Sequence, residues 1–453
     1  MFRTKFRPLH RLFLIPLMYA TAGVASALLL PRLEARLFPN LVLPLSLGSA
    51  QVILSTVASG MMALTAIVFS VAFVMVQFSA TAYSPRLVLW LARSPVINHS
   101  IGMFTATFLY AIGALAWVDR DGSGRVPPFT AWFAILLLLA SVVFFVALIE
   151  KIGMLQVTRI LMATGDAGRT VISRMYPETG PDAAGRAPER GGSGDADRAP
   201  VLLTLEHRGG PLVVQAVRTR TLVALAGKGD AVIVMAVAVG DTVMDGMPIL
   251  RVHGSGAPPA ADRLRQAVEL GTDRTFEQDP KYAVRILVDV AIKALSPAIN
   301  DPTTAVQALD QIEDLLLRMG RCDLDVGRVR DADGRLRLVM PVPTWHDLVV
   351  LALDEIRFCG ATSVQVMRRL RALLEDLKAQ VRPDRRADLD YYLARVDKGI
   401  RRDFQDTDDQ RDALESDRQG LGLSRGGRGT IHEPDPTPSS EPLADQRAAT
   451  GRK

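Results

Sequence analysis

The chain has 453 residues, with 53 Lys and Arg against 48 Asp and Glu for a formal net charge of +5. Its bases are matched by nearby acids and never interleave with aromatics in a run, which argues against nucleic acid as a partner. Cys322 and Cys359 are the only cysteines, too few and too far apart for a disulfide framework or a cysteine-rich metal site. The histidines (His10, His99, His207, His253, His346 and His432) are scattered without ligand spacing, so no metal is expected. No phosphate-cradling glycine loop or nucleophile elbow occurs, and no catalytic residue, cofactor or enzymatic activity is expected.

After a basic N-terminus (1–11), residues 12–150 contain four apolar runs, at 12–30, 49–80, 96–118 and 129–149. Each approaches or exceeds the ~20 residues a helix needs to cross ~30 Å of hydrocarbon, and none has Asp, Glu, Lys or Arg in its interior. The first run has signal-peptide features: Arg3, Lys5, Arg7 and Arg11 precede it, and Ala25-Ser26-Ala27 lies near its end. It is longer than a signal core of ~7–15 residues and three more runs follow, so a retained helix is expected. Arg86 and Arg93 in the loop after the second run, and Lys151 and Arg159 after the fourth, place both termini and the C-terminal region in the cytoplasm by the positive-inside rule.

The second run is long enough to require tilt or projection beyond the bilayer. Gln51, Ser55, Ser59, Met62, Ala66, Ser70, Phe73 and Gln77 recur along it at steps of four and three, a face of small and weakly polar groups. Two readings follow: a close helix-packing face, or the lining of a water-filled path in an oligomer. An expected absence of any carboxylate, His or Lys within the membrane argues against a proton-coupled transporter.

Residues 151–176 continue as a helical connector, and 177–200, rich in Pro, Gly, Ala and Asp, read as a flexible linker. The segment 201–255 reads as β-rich, with strands at 212–217 and 231–237 around a short helix at 219–226. Its valines and glycine turns resemble the hairpins of biotin- and lipoyl-carrier barrels. Met244 and Asp245 stand where those carriers present a lysine, so the likeness is one of shape, a small β-barrel-like module.

From 262 to 404 the pattern is helical. Asp279-Pro280 and Asp301-Pro302 place an acidic cap before a first-turn proline. Helices are expected at 280–295 and 302–319. Arg285, Asp289 and Lys293 fall on one face of the first, either as an ionic site or as a self-neutralising ladder. The joint between these helices is either structural, or Asn300 and Asp301 face a ligand or partner subunit together with Arg274, Glu277 and Asp279. A strand at 335–340 precedes a helix capped by Thr344 with Asp347 and ended by Gly360. Helices at 362–380 and 384–404 complete a bundle, and 424–453 should be disordered.

Three stretches carry a family resemblance: Glu277-Gln278-Asp279-Pro280 with LVDVAIKALSPAINDP at 287–302, QFSATAYSPRL at 77–87, and the barrel-like run at 239–250. Over most of 10–400 the chain resembles the bacterial family known as domain of unknown function 2254. The resemblance implies an inner-membrane protein of this layout and supplies no activity. The expected fold is thus membrane α-helical, with four transmembrane helices, plus a cytoplasmic α+β region holding the barrel-like module and a helical bundle. In function, two classes stand: a homo-oligomeric channel or pore in the lipid bilayer gated by the cytoplasmic domain, or a membrane-anchored regulatory or scaffold protein with a cytoplasmic partner or small ligand.

Overall fold

The computed structural model describes residues 9–37, 46–82, 95–118, 128–153, 157–177 and 199–422. The expected tail at 424–453 and nearly all of the 177–200 linker lie outside them. Four helices are long and apolar enough to cross a membrane: α1 (Leu9–Leu37), α2 (Leu47–Ala82), α3 (Pro95–Leu115) and α4 (Pro128–Gly153). At 1.5 Å per residue α2 extends about 54 Å, well beyond the ~30 Å of hydrocarbon.

The helix α3 is central and packs against each of the other three. Small residues set its distance from α1: a Cβ on Gly23 would sit 2.7 Å from the Ala106 carbonyl oxygen, so only glycine admits this approach. Polar groups inside the four-helix unit find partners, as a medium without water requires. Thr107 and Ser141 hydroxyls lie 2.9 Å apart, and the Tyr110 hydroxyl donates to the Thr130 carbonyl at 2.9 Å. The buried Glu34 carboxylate of α1 accepts from Phe129 N (2.9 Å), Thr130 N (3.2 Å) and Thr130 Oγ1 (3.1 Å). An anion from one helix thereby caps the positive N-terminus of another.

Three residues after α4, α5 (Val157–Met175) begins, and its apolar face enters the core of the C-terminal bundle. That bundle comprises α8 (Pro280–Ala294), α9 (Pro302–Arg321), α10 (Trp345–Cys359), α11 (Val364–Gln380), α12 (Arg386–Asp403) and α13 (Thr407–Leu414). The expected cap at Asp301 forms, accepting from Thr304 N at 3.1 Å. Thr344 and Asp347 make a reciprocal capping box, and Gly360 closes α10.

Two sheets and two short helices, α6 (Thr219–Lys228) and α7 (Ala261–Gln266), make the second body. The strands are β1 (Val201–Glu206), β2 (Leu212–Val217), β3 (Ala231–Met235), β4 (Thr242–Val243), β5 (Pro248–Gly254), β6 (Val268–Gly271), β7 (Arg328–Arg330) and β8 (Leu336–Val339). Five form one sheet in the order β1-β5-β3-β8-β7, and three form another in the order β4-β2-β6. Both line one apolar core with Leu222 and Ala226 of α6. No strand pairing joins the sheets among the described residues, so in place of the expected barrel-like module there are two sheets over a shared core and no closed barrel among these strands. The strand read at 335–340 leaves its helical surroundings and pairs in parallel with β3, Ile233 opposite Leu338.

The α5 seam is tight. A Cβ on Gly168 would lie 2.8 Å from the Leu315 methyl carbons of α9 and 3.0 Å from Ala283 Cβ of α8. Replacing Gly168 with Ala should therefore overpack the seam at a cost of about 1–3 kcal/mol. The check is a lowered unfolding temperature of the full-length protein, with faster amide exchange in 280–294 and 302–321.

Candidate functional site

Two sets of residues were candidates, and the first lies on α2. Gln51, Ser55, Ser59, Met62, Ala66, Ser70 and Phe73 are exposed in the single chain, while the Gln77 side chain lies outside what the structure describes. The opposite face, with Leu54, Val57, Ala58, Met61 and Val68, is buried against the other spans. This face, which carries the exposed Met62 and Phe73 besides its small and polar groups, points away from its own chain, so it is not a packing face within one subunit. Ser55 Oγ donates to the Val52 carbonyl at 3.1 Å and Ser59 Oγ to the Ser55 carbonyl at 2.9 Å. These hydroxyls are satisfied without water. One ionisable ring does lie inside a span: His99 Nδ1 is 3.1 Å from the Tyr19 hydroxyl.

The second set separates into two places. Arg274 and Asp279 meet at the start of α8: Arg274 Nε and Nη2 both donate to Asp279 Oδ2, at 2.9 and 2.6 Å. Glu277 beside them is exposed. Asn300 and Asp301 sit past the other end of α8, which at 15 residues is about 21 Å long, so they cannot share a site with Arg274. Asn300 takes the left-handed conformation, with φ of 49°, and its N–H donates to the Ser296 carbonyl. Asp301 N donates to the Ala294 carbonyl at 2.8 Å, and its carboxylate is taken up by Thr304. Ser296 Oγ donates to the Lys293 carbonyl at 2.7 Å, so Ser296, the Asn300 backbone and Asp301 all take part in turning the chain. On the face of α8, Arg285 pairs with Asp289 and with Glu355 of α10.

Asp279 does not cap α8 with its side chain, because Arg274 draws the carboxylate aside. It is 1% exposed, and burial pushes its carboxyl above the usual carboxylate range despite the guanidinium. Arg274 in turn lies over the Tyr282 ring, 5.2 Å from its centroid. Gly240, from the sheet body, covers the pair with φ of 93°; a Cβ there would run into Asp279 Oδ2 and stand 3.0 Å from Arg274 Nη2. Next to it, Gln278 fastens the same two bodies, accepting from Val217 N at 2.9 Å and donating to Val217 O at 3.2 Å. The sequence reading missed Gln278 and Gly240 as partners, although both stand within the stretches that carry the family resemblance.

Behind this joint is a cavity of about 290 Å³. Its walls come from the last turn of α5 (Arg174, Tyr176), from α8 (Asp279, Lys281) and from the sheet body (Val239, Val329). Burial raises the Tyr176 phenol above its ordinary range, so it stays neutral. Gly240→Ala should cost about 2–4 kcal/mol, because left-handed strain adds to displacement of a buried ion pair. Gly246 also has positive φ but open space around it, so Gly246→Ala should cost only about 1–2 kcal/mol. Paired thermal unfolding curves of the two variants check the difference.

The chain is 28% identical over 410 residues to an uncharacterized protein of Mycobacterium tuberculosis and, equally, to one of Mycobacterium bovis. Each match covers 86% of this chain and 77% of the relative. No solved structure matches. The family model described as predicted membrane protein (DUF2254) matches residues 10–376, which include all four spans, the sheet body and the Arg274–Asp279 joint. The chain belongs to that family.

Proposed function

We propose that this protein is a homo-oligomeric channel or pore of the bacterial inner membrane, with α2 at the subunit interface and the C-terminal region as its gate. The observation that carries this reading is the outward face of α2, where Gln51, Ser55, Ser59, Ala66 and Ser70 are exposed among Met62 and Phe73, while Leu54, Val57 and Met61 pack inward. Small and weakly polar groups at this spacing suit the close approach of a second copy or the lining of a water-filled axis. Gating is supported by α5, which follows the fourth span after three residues and buries Ile160, Leu161 and Ile172 in the bundle core. The loop charges support a cytoplasmic location for both termini and the C-terminal region, and the reading assigns the protein no enzymatic step.

A second reading has its own support. The serine hydroxyls on α2 are satisfied by their own helix, so the outward face needs no water. The four spans then only anchor and associate a regulatory or scaffold protein that transports nothing.

Mass photometry of the full-length protein in nanodiscs, with Ser59→Cys cross-linking in a Cys359→Ser background, separates the two. The channel reading expects a closed ring of several copies, cross-links at position 59, and ion flux reduced by Ser59→Leu. A monomer, or a ring that is silent across voltage, tension and ion type, leaves the anchored scaffold.

A further inference from the structure

We propose that the cavity between α5, α8 and the sheet body binds a small amphipathic anion, its carboxylate or phosphate head held between Arg174 and Lys281. The apolar body of the ligand lies against Val237, Val239 and Val329.

Charge points to this class. Arg174 and Lys281 line the cavity, and neither side chain has an ion pair or hydrogen bond among the described residues. Their neighbours differ: Arg169 is paired with Asp166 and Asp314, Arg274 with Asp279, and Arg285 with Asp289 and Glu355. Asp279 is the only acid among the described residues lining the cavity, and its charge, which also reaches Lys281, is met by Arg274. Its unpartnered Oδ1 is closed off and offers no surface to a ligand. The space therefore carries a net positive field that disfavours a cation and suits an anion.

Backbone polarity acts in the same sense. Two helices begin at the cavity, α6 at Thr219 and α8 at Pro280, and neither has a side-chain cap over its first turn. Their N–H groups and dipoles add to the two cations. The Gln278 amide is spent on Val217, so recognition rests on charge. The rest of the wall is largely apolar, and about 290 Å³ excludes a large ligand. Occupancy would tie the last turn of α5 to α8 and to the sheets. That consequence rests on the gating reading, but the binding does not.

The test is calorimetric titration of full-length protein in phosphatidylcholine nanodiscs with octanoate, kept below its micellar concentration and corrected with empty nanodiscs. Octanol and octylammonium serve as the neutral and cationic counterparts. Saturable binding of one octanoate per chain is expected, at least about tenfold tighter than either counterpart, and weakened about tenfold or more in an Arg174→Gln, Lys281→Gln double variant. Val329→Trp should fill the cavity and abolish binding; if it fails to fold, Val342→Phe on the facing loop serves instead. Nanodiscs doped with phosphatidic acid distinguish the source: competition with octanoate assigns the head to a lipid, and its absence to a soluble anion. No saturable octanoate binding, equal binding of octanol, or affinity unchanged in the charge variants and in the filled cavity would overturn the proposal.

Discussion

The contact between Arg274 and Asp279 is where the two C-terminal bodies become one. A carboxylate that is 1% exposed must have its charge met, since removing one partner of a buried pair typically costs about 3–5 kcal/mol. Arg274 meets it with two N–H groups on one oxygen, in a position fixed by the Tyr282 ring below and Gly240 above. Because Gly240 belongs to the sheet body and Asp279 opens α8, the pair holds the sheets against the bundle. Gln278 adds two backbone hydrogen bonds to β2 beside it. The cavity exists because these contacts bring Val239, Lys281 and the end of α5 around one space.

The membrane unit follows a different constraint. Without water, buried polar groups must be satisfied inside the protein, and here Glu34, Thr107, Tyr110, Thr130 and Ser141 form such partnerships across helices. Glu34 is the most demanding, an acid at the end of one span held by the first turn of another. The α2 hydroxyls follow the same rule by bonding to their own helix. What distinguishes α2 is the stripe of small and weakly polar groups set among large apolar ones on its outward face.

Between these two parts stands α5. Gly165 and Gly168 bring its backbone against Gln311 and Leu315 of α9, and Arg169 bonds to Asp314 at 2.7 Å. A helix docked this closely moves with the bundle it joins, since packed interiors yield little. Its last turn reaches the cavity, while its first follows the fourth span. The helix thus runs along the bundle from just after the fourth span to the cavity wall.

Local patterns in the sequence determined a good deal of this protein. Four apolar runs identify the spans because hydrocarbon imposes their length and composition, and Asp301-Pro302 and Thr344 with Asp347 mark helix starts because capping is settled within one turn. The strand at 335–340 was visible too, from its own side chains. Where that strand pairs was not, since parallel pairing with β3 joins residues about a hundred positions apart. The division of Arg274 and Asp279 from Asn300 and Asp301 was legible in principle, since the helix expected at 280–295 is long enough to impose it. The small residues of α2 were legible as a stripe, but which way they face depends on where α1, α3 and α4 sit. The cavity, with Arg174 and Lys281 on its wall, belongs wholly to tertiary structure, because three segments far apart in the chain must close before there is a space or a charge within it.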